Sequence, residues 1–244
     1  METLSFSTAG SMDISVIVPT YNEEKYIETC LKSLERQDFS GNYEVIVSDG
    51  SSVGGTVGIA RRHADQVIAD RRDTIALGRQ TGAQAAKYPV LAFTDADAYI
   101  RSDWLSQLAS SLSDCRVAGV HGKLLPLDGN RIENDFCEYV LPLYSQFMVQ
   151  VNKPSVPGSN FAVRKKAFDA VNGFNTKLVT AEDVDLCNRI VKLGRFAYNP
   201  EAVVYVSTRR VREWGYLKTL SFYISNTLKY HTTGSAGMEY DVIR

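Results

Sequence analysis

Val90-Leu91-Ala92-Phe93-Thr94-Asp95-Ala96-Asp97 is an apolar run that stops at two carboxylates. Four apolar residues without polar alternation read as a strand buried on both faces, and such strands belong to parallel sheets covered by helices. Extended geometry places alternate side chains on one side of a chain. Asp95 and Asp97 are therefore expected to converge at the carboxyl end of the strand. Like charges held close repel unless a cation lies between them. A hard divalent ion takes one or two carboxylates and completes its shell with water and phosphate oxygens. The pair points to a metal–diphosphate site at the edge of a sheet. An acidic turn ahead of a helix is the plainer alternative, and the spacing alone does not choose.

On either side of this segment, strand-like runs alternate with helical patterns. Ile14–Pro19, Tyr43–Ser48, Gln66–Ala69 and Val117–Val120 read as further strands, with Ser159–Val163 and Ala202–Val206 in the second half. Tyr26, Ile27, Cys30, Leu31 and Leu34 fall on one helical face. Helices are also expected at Thr56–Ala64, Ala76–Lys87, Ser102–Leu112 and Thr180–Leu193, and one apolar helix within 123–157. This alternation predicts an α/β fold with a mostly parallel, doubly wound sheet and helices on both faces. Ligands bind such sheets beyond the strand ends where the winding reverses. If the first and fourth strands are neighbours, Pro19 and Asp95 open onto one crevice.

The 244 residues suit one large domain, and a net charge of −1 points to neither nucleic acid nor an anionic membrane. Cys30, Cys115, Cys137 and Cys187 are far apart and read as structural thiols of a reducing cytoplasm. Residues 1–11 lack the pattern of a signal peptide. They read as an expression tag or a disordered N-terminus, with Gly10-Ser11 ahead of a natural start at Met12. The apolar stretch Tyr139–Val151 carries Pro142, Ser145 and Gln146 and is too short to span a bilayer. In a last helix from Trp214 to Tyr230, Leu217, Leu220, Ile224 and Leu228 form one stripe. The expected localisation is cytoplasmic, with peripheral contact at the inner membrane face through that stripe as the alternative.

Three more segments carry chemistry. Pro19-Thr20-Tyr21-Asn22-Glu23-Glu24 follows the first strand, where Tyr21 offers a ring for stacking and Pro19 ends the ladder. Ser48-Asp49-Gly50-Ser51-Ser52 follows the second, where Asp49 has the chemistry to accept a ring N–H. Each is also an ordinary turn. Thr180-Ala181-Glu182-Asp183-Val184-Asp185 opens the late helix, where Thr180 and Asp183 approximate a capping box. Three acids in four residues exceed what a cap needs. An acid at a helix start stays ionised easily, which suits a general base.

Taken in order, these segments resemble family 2 glycosyltransferases of the GT-A fold. Gly78-Arg79-Gln80-Thr81-Gly82, Gly158-Ser159-Asn160-Phe161 and Gly173-Phe174 strengthen the likeness, which runs from about Asp13 to Arg210. The resemblance implies a GT-A domain over 12–210 and a helical tail over 211–244. It implies that Pro19, Tyr21, Glu23 and Asp49 hold the nucleoside, and that Asp95 contacts the ribose or shares the metal. Asp97 would bind Mn²⁺ or Mg²⁺ at the diphosphate, and Asp183 would be the base of an inverting transfer. The donor would be a nucleotide-diphosphate sugar, uridine ahead of guanosine, and the acceptor a glycan, a lipid-linked or a small molecule. Arg79 and Glu182 are secondary site residues. Gly54 stands where these enzymes commonly have Asp, and Val206 where many have a metal-ligating His. Either the metal then binds loosely or Arg209 and Arg210 supply compensating positive charge near the diphosphate, with an ordinary exposed basic pair as the plain alternative for these arginines.

A sugar nucleotidyltransferase needs a Gly- and Arg-rich loop after the first strand, and Thr20–Glu24 has neither. A processive synthase needs a Gln-x-x-Arg-Trp motif, which Val211-Arg212-Glu213-Trp214 only faintly resembles. A polyprenyl-phosphate glycosyltransferase of the dolichol-phosphate-mannose-synthase kind is the main alternative. A non-catalytic nucleotide-sugar binding module is the non-enzyme one.

Overall fold

The computed structural model describes residues 6, 12–69, 74–215, 218, 219, 221, 222, 225, 226 and 229. Eight strands form one sheet: β1 (Ile14–Thr20), β2 (Tyr43–Asp49), β3 (Gln66–Ala69), β4 (Val90–Phe93), β5 (Ala98–Ile100), β6 (Val117–Pro126), β7 (Phe161–Arg164) and β8 (Arg195–Val206). Their order is β3-β2-β1-β4-β7-β6-β8-β5. β1 lies between β2 and β4, parallel to both. The winding reverses there, at the place where the sequence predicts the crevice.

The second half departs from a parallel sheet. β7 runs antiparallel between β4 and β6, and β5 pairs antiparallel with β8. β7 is Phe-Ala-Val-Arg, buried throughout. Such a run identifies a core strand but carries no mark of its direction. β1 continues through Pro19 to Thr20, one residue further than expected.

Successive residues of β1 feed opposite cores, Ile14, Val16 and Val18 on one face and Ile17 on the other. The helices α1 (Ile27–Leu34) and α4 (Trp104–Leu112) cover the first face, with α2 (Thr56–Ala60) following β2. The second is covered by α3 (Ile75–Ala85), α7 (Lys165–Ala170) and α8 (Glu182–Ile190). Gly82 lets α3 lie against β1, because a Cβ there would sit 2.6 Å from Ile17. Gly82→Ala would overpack that contact, typically costing about 1–3 kcal/mol. Buried Asn160 accepts from the Trp104 indole and donates to the carbonyls of Lys123 and Ala202, fixing β7 against its neighbours. Phe6, within the stretch read as a tag, is buried and donates its N–H to the Cys115 carbonyl.

Between β6 and β7, α5 (Arg131–Asp135) runs through one π-helical turn, Phe136–Val140, into α6 (Leu141–Gln150). Pro142 in the first turn of α6 has no N–H for an α-helical bond. The wider turn before it absorbs the defect. None of these residues is buried. α9 (Arg209–Trp214) ends the continuous part. No helix among the described residues is long and apolar enough to cross a membrane. The Leu217–Leu228 stripe lies outside the described residues.

Candidate active site

The loops after β1 and β2 are zipped together. The Gly50 N–H donates to the Thr20 carbonyl, and the Asn22 N–H donates to Ser52 Oγ at 2.7 Å. The Val53 N–H donates to Asn22 Oδ1 and the Gly55 N–H to Glu24 Oε2. Asn22 and Ser51 hold left-handed backbone, at φ 55° and 60°. That geometry costs a side-chain-bearing residue roughly 1–2 kcal/mol, and such strain collects at functional loops. Gly54 has φ 111°, and a Cβ would sit 2.7 Å from Glu24 Oε2. The Asp common in this place would not fit here.

Asp49 is buried at the end of β2. Thr20 Oγ1 donates to its Oδ1 at 2.9 Å, Ser52 Oγ donates to the same oxygen, and the Ser52 N–H donates to Oδ2 at 2.8 Å. Its carboxylate is thus aimed by the loop, and Oδ2 keeps acceptor capacity. Tyr21 is partly exposed beside it, while Pro19 is buried in the strand.

The aspartate pair does not have the expected extended geometry. Ala96 and Asp97 form a turn ahead of β5. The two carboxylates engage different cations. Asp95 Oδ1 accepts from Arg79 Nη2 at 2.8 Å, whereas Asp97 Oδ2 lies 3.1 Å from Arg209 Nη2. They are still close enough to repel. Burial first, and then the Asp95 charge, push the Asp97 pKa up to about 6, with Arg209 opposing.

Arg79 is 2% exposed and joins the two halves of the site. Its Nη1 donates to Glu182 on α8. The backbone of Gly158 passes directly over the guanidinium, where a Cβ would sit 2.4 Å from Nη2. Next to it, Gln80 Oε1 accepts the Phe174 N–H at 2.8 Å, and Gly173 at φ 66° leaves room for it. Gly82, Gly158 and Gly173, one from each motif, are therefore close-approach residues around α3.

The late helix starts differently from the expected capping box. Its N-cap is Ala181, in left-handed backbone at φ 58°, and no side chain caps it. Thr180 Oγ1 is buried without a partner among the described residues. Glu182 pairs with Arg79, and Asp185 with Arg189 at 2.5 Å. Among the described residues Asp183 makes no ion pair and accepts the Val184 N–H at 2.7 Å. The helix dipole does not dominate here. Burial raises the pKa of Asp183, against the pull of Arg79, and raises that of Glu182 as well, with Asp183 adding to it.

Arg209, the first residue of α9, grips Glu23 through both terminal nitrogens at 3.0 and 3.2 Å, and lies 5.0 Å from the Tyr26 ring centroid. Its helix is stapled to the loop after β6: Thr208 Oγ1 donates to Asp128 Oδ1, and Arg212 pairs with Asp128 at 2.8 Å. The side chain of Arg210 lies outside the described residues.

No group of three or more His, Cys, Asp or Glu is arranged to hold a metal among the described residues. Two carboxylates beside a crevice suit a hard cation that draws its other ligands from phosphate. The donor set fits a metal that arrives with a diphosphate.

The segment between β6 and β7, where an apolar helix is expected, forms an exposed apolar wall. The segment from Arg131 leaves beside Asp128 and returns where Asn188 Nδ2 donates to the Pro154 carbonyl and Gly158 covers Arg79. It thus reaches from the Arg209 end to the Arg79 end. Ile132, Tyr139, Leu143 and Phe147 are exposed on it by 79, 67, 69 and 58%. Residues 139–152 carry no charge, in keeping with the apolar stretch read from the sequence.

The family model for Glycosyl transferase family 2 matches residues 15–171, more than half of the chain. The chain is 29% identical over 197 residues to glycosyltransferase AglE of Haloferax volcanii, covering 74% of this chain and 62% of AglE. It therefore spans less than two thirds of that relative. Its fold superposes on the mannosyltransferase PcManGT from Pyrobaculum calidifontis, solved with GDP-Man and Mn²⁺. The TM-score is 0.67 at 22% identity, over 91% of this chain and 67% of that one. It also superposes on S. aureus TarS 1–349 in complex with UDP, with TM-score 0.65 at 21% identity, over 93% of this chain and 68% of that one. With the family model matched over most of the chain and the fold shared with these structures, the chain belongs to glycosyl transferase family 2 and has the GT-A fold.

Proposed function

We propose that the protein is an inverting, metal-assisted transferase that moves a sugar from a nucleoside diphosphate to an acceptor hydroxyl. The observation that carries this reading is Arg79, whose one guanidinium ties Asp95 to the acids that open α8. Donor side and acceptor side are thereby fixed relative to each other. Residues 12–210 form the transferase domain on this reading, and 211–244 an appended tail.

Tyr21 and Asp49 would hold the base, and Glu23 and Asp95 would flank the ribose and diphosphate. Asp97, with Asp95, would hold a divalent ion, which when bound neutralises charge on the leaving diphosphate. Asp183 takes the proton from the acceptor hydroxyl. The acceptor oxygen then forms its bond to the anomeric carbon as the bond from that carbon to the diphosphate oxygen breaks. The electron pair leaves with the nucleoside diphosphate. A single in-line displacement of this kind inverts the anomeric centre. Burial keeps Asp183 nearer to neutral-pH titration than a solvated Asp, which suits a base.

The test is binding of UDP and GDP with and without Mn²⁺, measured by calorimetry. Mn²⁺ should tighten one nucleotide strongly, and Asp97→Ala should remove that synergy. Equal affinity in EDTA and in Mn²⁺ would overturn metal assistance.

One observation favours a lipid-linked acceptor over a glycan or small molecule: the exposed apolar wall between Ile132 and Val151. On this second reading the wall supports a polyprenyl chain whose phosphate end enters the site. Leu143→Glu, on a surface residue, should leave folding intact and lower kcat/KM for a polyprenyl-linked acceptor about tenfold relative to a short-chain one. An equal effect on both acceptors would reject it.

A further inference from the structure

Glu23 and Asp97 reach the crevice from different strands, yet both are held by one residue. Arg209 grips Glu23 at 3.0 and 3.2 Å, meets Asp97 at 3.1 Å, and lies over Tyr26. A single guanidinium thus clips the arm after β8 onto the loops after β1 and β4. A divalent ion on Asp97 would bring a second cation against the guanidinium that already faces Asp97 Oδ2, and like charges held close repel. The diphosphate, in turn, is a partner the planar fork of an arginine matches with two parallel hydrogen bonds. Arg209 is also free to change partners: its side chain is 23% exposed, on the first residue of a six-residue helix.

We propose that Arg209 is an exchangeable cation of the donor site, which holds Asp97 and Glu23 before the nucleotide arrives and passes to the diphosphate as the metal takes Asp97. The inference rests on the donor-site reading above. It couples metal and nucleotide binding, because a metal arriving alone must break the Asp97 contact of Arg209 without bringing the diphosphate that would replace it. Coupling of this kind is reciprocal: each ligand tightens the other by the same factor.

The experiment measures Mn²⁺ affinity alone, by electron paramagnetic resonance of free Mn²⁺, and nucleotide affinity at saturating Mn²⁺, by calorimetry. Wild type, Arg209→Gln and Arg209→Lys are compared, with melting curves to verify folding. In Arg209→Gln, Mn²⁺ alone should bind about tenfold tighter while the nucleotide binds about tenfold weaker. Arg209→Lys keeps the charge but loses the two-pronged grip, and should fall between the two in both measurements. It serves as the test variant if Arg209→Gln does not fold. Unchanged or weaker binding of Mn²⁺ alone to Arg209→Gln overturns the exchange, as does a lysine variant equal to wild type in both. Wild type that binds no nucleotide in a Mn²⁺-dependent way overturns the donor-site reading itself, and the exchange with it.

Discussion

Arg79 and Arg209 each neutralise one member of the Asp95–Asp97 pair, and they do so in opposite surroundings. Arg79 is buried beneath Gly158 and pairs with two carboxylates, Asp95 and Glu182. Arg209 lies at the surface of the crevice, on the last short helix of the continuous chain. Burial makes the first node structural, since breaking it strands charges away from water. Partial exposure makes the second one exchangeable, since water and phosphate can replace either partner. Charge count alone does not distinguish them.

The Arg79 end should carry the largest effects. Asp183→Asn keeps the shape of the helix start and removes the proton acceptor. It should lower kcat by about 10²–10⁴-fold, the usual worth of a general base, while melting temperature and nucleotide affinity stay near wild type. A folded mutant with near-normal turnover would move the base to Glu182 or Asp185.

Arg79→Met tests burial directly. It leaves Asp95 and Glu182 without their shared partner, and loss of one member of a buried ion network costs about 3–5 kcal/mol. Chemical denaturation at pH 7 should show that loss, and it should shrink at pH 5, where protonation relieves the repulsion. A cost below 1 kcal/mol would erase the distinction between the two nodes.

Asp97 supplies a pH signature. Its folded pKa of about 6 lies above the ordinary Asp value. Between those two values the folded protein binds more protons than the unfolded one, so this residue makes stability fall as pH rises through that window. Asp97→Asn should remove a decline on the order of 2–3 kcal/mol between pH 4 and 7, read as the difference between the two stability profiles. A parallel pair of profiles would mean that Arg209 fully compensates Asp97.

Arg209→Met should have the smallest effect on stability, about 1 kcal/mol or less, as for other partly solvated pairs. Its melting temperature should sit close to wild type while that of Arg79→Met falls well below. Similar losses in both would show that the Arg209 clip is structural too.

Much of the donor half was legible in the sequence. Ile14–Thr20, Tyr43–Asp49 and Val90–Phe93 are short, apolar and followed by turns, so strands and crevice could be placed by pattern. Asp49 closes β2 and Asp95 follows β4, as the strand pattern predicts, while Asp97 sits in a turn instead of extended chain. The partners of those acids were not legible. Asp95 and Arg79 are 16 residues apart, Arg79 and Glu182 are 103 apart, and Glu23 and Arg209 are 186 apart. Local chemistry offered Thr180 as a cap for Asp183, and the fold discarded it by turning Ala181 left-handed.

The sequence by itself determined the strand–helix alternation, the positions of the acids and the glycine spacing, because each follows from neighbouring side chains and backbone freedom. Only the tertiary structure decided that β7 runs against β4, that Gly158 roofs Arg79, and that one aspartate is bound to a buried arginine and the other to a partly exposed one. Those outcomes depend on packing and desolvation between segments far apart in the chain, and no local pattern of residues encodes the dielectric that a side chain will meet.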